Sequence, residues 1–134
     1  MFDPILSGKR ILIVDDCREV TDLLLELYAD WGAAVDCAAS VAGARRKLQR
    51  CAYDLVVADL HNHGLLGADL TRPIVGPSPT PPAVVFLTAE RTGPWPASHV
   101  ARQLGLPVLF KPFNLDELLR VSRLSIARRS RACA

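Results

Sequence analysis

Residues 9–16 read Lys-Arg-Ile-Leu-Ile-Val-Asp-Asp. Four aliphatic residues, two of them isoleucine, stand between a basic pair and an acidic pair, with Gly8 just ahead. A short continuous apolar run rich in β-branched residues and bounded in this way is the pattern of a strand buried on both faces. Three more runs repeat it: residues 55–58 (LVVA) ending at Asp59, residues 84–87 (VVFL) ending at Thr88, and residues 107–110 (PVLF) ending at Lys111. Residues 33–38 form a weaker strand candidate. Between the strands lie helical patterns. From residue 18 to 31, Val20, Leu23, Leu24, Leu27 and Trp31 recur at helical spacing, and Gly32 supplies a stop. Ser40 is the expected N-cap of a helix over residues 41–50, and Asn114 that of a last helix over residues 115–128. Strands alternating with helices predict an α/β fold, a parallel sheet covered on both faces.

Composition narrows the class without naming a function. A chain of 134 residues is expected to be one domain, with its core at about residues 9–128 and a frayed basic tail at 129–134. Half of the residues are apolar and 22% are charged, an ordinary globular balance. The net charge of +2 is too small to argue for nucleic acid. No apolar run approaches the roughly 18 residues of a membrane span, and the first residues do not resemble a signal peptide. Cys17, Cys37, Cys51 and Cys133 have no metal-site spacing and read as reduced thiols of a cytoplasmic protein. Two asymmetries hide in these totals. Residues 1–36 hold eight acids and three bases, and seven of the ten prolines fall between Pro73 and Pro96.

In an open parallel sheet, ligands bind outside the carboxyl ends of the strands. The residues that follow the strong strands are Asp15 and Asp16, Asp59, Thr88 and Lys111. Three carboxylates brought together repel one another and call for a cation, and hard oxygen ligands suit Mg²⁺. A carboxylate can also serve as a nucleophile and form an acyl phosphate. A nearby hydroxyl and ammonium would stabilise the phosphoryl charge.

With these residues in order, the chain resembles the receiver (phosphoacceptor) domain of bacterial two-component response regulators, in its single-domain form. The resemblance runs from Lys9 to about Arg128 and rests on ILIVDD, LVVADL, FLTAE and LFKPF, with steps of 43, 29 and 23 residues counted from Asp16. It implies a flavodoxin-like, doubly wound five-stranded parallel sheet of strand order 2-1-3-4-5. It further implies that Asp59 is the phosphoacceptor, and that Asp15, Asp16, Asp59 and the backbone carbonyl of His61 hold Mg²⁺. Thr88 resembles the switch hydroxyl, Ala89 the small residue that leaves the phosphoryl group accessible, and Lys111 the ion-pair partner of the aspartyl phosphate. Pro112 matches the position of a cis peptide, and Gly67 the glycine that ends the loop after the phosphoacceptor. His61 and Glu90 stand where phosphoryl lifetime is tuned. The implied partners are a histidine kinase or phosphotransfer protein as donor, an output protein, and possible homodimers; composition gives no membrane partner, and nucleic acid is not the expected one. The acidic first helix matches the face on which many receivers meet their donor.

The sequence also departs from the family. Asn62 and His63 replace the usual Met-Pro pair, and Val108 stands where an aromatic switch residue is typical. Pro73, Pro77, Pro79, Pro81 and Pro82 forbid a long third helix, leaving at most residues 68–72, and Thr92–Pro96 leaves only residues 97–104 for the fourth. The expected function is thus a phosphorylation-switched binding surface rather than an enzyme. The alternative is a phosphorylation-independent binding module on the same fold. A small phosphatase ranks last, because the first strand lacks Asp-x-Asp and no Gly-rich loop follows it.

Overall fold

The computed structural model describes residues 2–59, 81–88, 107–110 and 114–132. Five strands, β1 (Arg10–Val14), β2 (Ala34–Ala38), β3 (Leu55–Asp59), β4 (Ala83–Thr88) and β5 (Val108–Phe110), form one sheet in the order β2-β1-β3-β4-β5. Every pairing is parallel. The described helices are α1 (Arg18–Asp30), α2 (Val41–Arg50) and α3 (Leu115–Ala132). This is the flavodoxin-like doubly wound fold. The short helices expected at residues 68–72 and 97–104 lie outside the described residues.

Period-two alternation divides the apolar residues of the strands between two cores. Ile11, Ile13, Leu55, Val57, Val85 and Leu87 pack with Leu24, Tyr28, Leu118 and Ile126 of α1 and α3. Leu12, Val14, Val56, Ala58, Val84 and Phe86 pack on the other face with Ala44 and Leu48 of α2. Both faces are therefore covered, which is why the central strands are continuous apolar runs. β2 lies at the edge and is only half-buried, in keeping with its weaker sequence signal.

The helix ends follow local chemistry. Ser40 Oγ accepts a hydrogen bond from Gly43 N at 3.0 Å, so Ser40 caps α2 as expected. Asn114 Oδ1 accepts one from Glu117 N at 2.7 Å, while Asn114 Nδ2 donates to Glu117 Oε1 at 3.3 Å. Gly32, at φ +95°, turns the chain out of α1 through the left-handed region.

One expectation is corrected. α3 continues to Ala132, so residues 129–132 are helical rather than a frayed tail. Arg129 anchors this last turn through Nε to the Pro81 carbonyl at 2.8 Å and through Nη1 to Asp54 Oδ1 at 2.8 Å. Among the described residues no helix is long and apolar enough to cross a membrane.

Candidate functional site

The carboxyl edge of the sheet gathers the acidic residues. β3 is the middle strand and ends at Asp59. β1 adjoins it with Val14 level with Ala58, so Asp15 leaves β1 at the height of Asp59. On the other side, Asp59 is level with Leu87 of β4, and Thr88 follows as the last residue of that strand. Thr88 is in turn level with Phe110, the residue before Lys111. Adjacent strands are about 4.8 Å apart. Register alone therefore brings to one edge the ends of four segments drawn from residues 15 to 110 of the chain.

The environments of the three carboxylates differ. Asp15 and Asp59 are largely buried, at 4% and 6% exposure, whereas Asp16 is exposed. By alternation Asp59 shares the face of Leu55 and Val57, the side covered by α1 and α3. Asp15 is held at both ends: its amide donates to the Ala38 carbonyl at 3.1 Å, and its Oδ1 accepts from the Cys17 amide at 2.8 Å. Thr21 Oγ1 approaches the Asp15 carbonyl at 3.4 Å. The bond to Cys17 spans two residues and sets the turn from β1 into α1. It fixes one carboxylate oxygen where the chain leaves the sheet. Cys17 is the N-cap of α1 and makes no side-chain capping bond.

Two buried carboxylates on neighbouring strand ends repel, and burial raises the cost of their charge. A hard cation offsets both effects. Among the described residues no three His, Cys, Asp or Glu side chains gather into a metal cage. Mg²⁺ keeps several waters and takes one or two carboxylates rather than a full protein cage. The donor chemistry at this edge, carboxylate oxygen on two strands, fits such an ion.

Sequence-predicted residues thus divide in two. The structure brings Asp15, Asp16 and Asp59 to one edge and ends β4 at Thr88 beside them. His61, Gly67, Ala89, Glu90, Lys111 and Pro112 lie outside the described residues. Sequence reasoning missed the bracing of Asp15 by Cys17 and Thr21. An Asp two residues ahead of a helix N-cap was the available signal.

The sequence matches the family described as the response regulator receiver domain over residues 11–123. No match was found among the curated proteins. Several solved structures are similar. A CheY-like response regulator receiver domain protein from Methanospirillum hungatei is 22% identical, with a TM-score of 0.79 over 94% of this chain and 99% of that one. A receiver domain protein from Clostridium thermocellum is 26% identical, with a TM-score of 0.77 over 91% of this chain and 97% of that one. The receiver domain of a sensor histidine kinase from Pseudomonas aeruginosa, with a magnesium ion coordinated in its active-site cleft, is 26% identical, with a TM-score of 0.76 over 90% and 99% of the two chains. With the sheet order and the matched family in agreement, the chain belongs to the response regulator receiver domains.

Proposed function

We propose that this receiver accepts a phosphoryl group on Asp59 from a histidine kinase or phosphotransfer protein and thereby switches a protein-binding surface. One observation carries the reading: a largely buried carboxylate ends the middle strand, flanked by a second buried carboxylate on the adjoining strand. In the transfer, an Asp59 oxygen attacks the phosphorus of a phosphohistidine. The P–N bond breaks, its electron pair stays on the imidazole nitrogen, and the product is an acyl phosphate on Asp59. Asp15, Asp16, Asp59 and the His61 carbonyl would hold Mg²⁺, which supplies charge neutralisation for the phosphoryl oxygens when bound.

The remaining roles fall to this chain's own groups. Burial keeps the Asp59 carboxylate poorly hydrated and so a better nucleophile. Thr88 donates its hydroxyl to a phosphoryl oxygen, and Lys111 pairs with the charge that remains after transfer. Ala89 leaves the incoming group room, and His61 and Glu90 set water access and hence the lifetime of the acyl phosphate. The acyl phosphate carries about −2 where the carboxylate carried −1, and this change biases a loop and surface between two arrangements. The output partner is a protein, and the unit acts as a signalling domain rather than as an enzyme with turnover.

The decisive experiment is phosphotransfer from phosphorylated donors, together with beryllofluoride binding followed by tryptophan fluorescence. Labelling and binding are expected only with Mg²⁺, and neither with Asp59→Asn. A folded chain that is neither labelled nor bound by beryllofluoride at saturating Mg²⁺ refutes the proposal.

A further inference from the structure

We propose that the face formed by α1, α3 and the N-terminal segment is a self-association surface, on which a second copy of this chain packs about a two-fold axis. The motive is a pair of complementary ridges carried side by side. α1 holds Glu19, Asp22, Glu26 and Asp30 against a single base, Arg18. These acids are spaced three, four and four residues apart, so they form one stripe, and all four are exposed. α3 holds five arginines against two acids. Arg120, Arg123 and Arg128 are exposed and surround Leu124 at offsets of four, one and four residues. Glu19, Asp22 and Glu26 make no ion pair among the described residues. Of the α3 arginines, Arg123 pairs with Asp3 and Arg129 with Asp54, both outside α1.

Apolar surface converges on the same face. Among the described residues the exposed large apolar side chains are Phe2, Leu23, Leu115 and Leu124. A cavity of about 280 Å³ is lined by Phe2, Leu27, Trp31 and Leu115, with the acids Asp30 and Asp116 at its wall. A second, of about 190 Å³, is lined by Ile5, Leu124 and Ala127 with Arg120 and Arg123. Leu23 stands one helical turn from Leu27 of the first cavity. One hollow is therefore apolar and acidic, and its neighbour apolar and basic.

A two-fold axis between α1 and α3 would set each ridge against its complement on the partner and satisfy both at once. α1 is about 20 Å long and α3 about 27 Å. Side by side they offer a face near the size each partner of a standard interface buries, about 800 Å², or roughly a tenth of the 7598 Å² surface. A donor helix docked on α1 would leave the basic, leucine-bearing ridge of α3 unmatched. A second copy matches both.

The test is sedimentation of the full chain over a concentration range, with two variants that reverse one ridge each: Asp22→Lys/Glu26→Lys on α1, and Arg120→Glu/Arg128→Glu on α3. All four positions are exposed, so the fold is retained, as circular dichroism will verify. The wild type is expected to form dimers whose Kd rises about tenfold between about 50 and about 500 mM NaCl. Each variant alone should be monomeric, and a mixture of the two should recover a one-to-one dimer that Leu124→Ser abolishes. A wild type that stays monomeric at about 1 mM overturns the proposal. So do dimers indifferent to ridge reversal, open-ended polymers, and ridge variants whose only effect is slower phosphotransfer from a donor. Association is read without phosphorylation, so failure here leaves the proposed chemistry of Asp59 standing.

Discussion

Raising the pH should unfold this protein through its two tyrosines. The hydroxyl of Tyr28 lies in the core between α1 and α3, 2.7 Å from Ser122 Oγ. Ser122 Oγ donates its one proton to the Leu118 carbonyl at 2.7 Å, so Tyr28 must be the donor in the pair. Burial pushes the Tyr28 phenol well above its ordinary range. Tyr53 is raised as well, first by burial and then by its 2.6 Å bond to Asp36 Oδ2. The unfolded chain releases both protons near pH 10, whereas the folded chain holds them. Stability contributed by a raised pKa is complete below the unfolded value and is lost as pH rises above it. The loss is about 1.4 kcal/mol per pH unit for each tyrosine, up to the folded pKa.

The variant Tyr28→Phe separates this effect from all others. At neutral pH it removes one donor while Ser122 keeps its own bond, at a cost of about 1 kcal/mol. Above pH 10 it loses stability at about half the tyrosine-driven slope of the wild type. The two stability curves should therefore cross at about pH 10.7, beyond which the variant is the more stable. Urea denaturation at stepped pH measures the curves, and tyrosinate absorbance reports ionisation. In the wild type, tyrosinate should appear only together with loss of the native circular dichroism. Tyrosinate forming near pH 10 in a still-native protein would refute the reasoning, as would parallel curves for the two proteins.

Further outcomes follow from other contacts. Mg²⁺ at a hundred times its Kd should raise the unfolding free energy by about 2.7 kcal/mol, and Asp15→Asn should remove most of that gain in a thermal shift titration. Asp54→Ala removes the acceptor of Arg129 Nη1 and of the Arg10 amide together, so chemical denaturation should show a loss of about 1–3 kcal/mol. Gly32→Ala places a side chain at φ +95° and against the Phe2 ring. It should cost about 1–2 kcal/mol. Phe2→Ala in the same chain should recover little, because the backbone strain remains; full recovery would contradict this.

Much of the fold was legible because its signals are local. The apolar runs at residues 55–58 and 84–87 need burial on both faces, and only a covered parallel sheet provides it for several strands at once. Ser40 and Asn114 announce helix starts because their side chains bond amides three residues on. The extension of α3 was not legible. Arg-Arg-Ser-Arg has no apolar stripe to mark a helix, and the turn is held instead by Asp54 and the Pro81 carbonyl, 75 and 48 residues away in the chain. Ser122 gave a faint hint, a polar residue among apolar helix positions, but nothing in the sequence named Tyr28 as its partner.

The same division holds at the site. Sequence alone determined which residues stand at strand ends, because a buried run terminates where charge begins, and the order of Asp16, Asp59, Thr88 and Lys111 carried the family resemblance. Only the tertiary structure decided that Asp15 and Asp59 are both buried, level with one another on neighbouring strands, while Asp16 faces solvent. Burial and level are set by register and by the helices that cover each face. Both arise from contacts between segments distant in the chain, to which local pattern is blind. The pairing of an acidic α1 with a basic α3 on one face is likewise a fact of packing. A net charge of +2 conceals it, because opposite ridges cancel in a sum and become visible only when the fold sets them side by side.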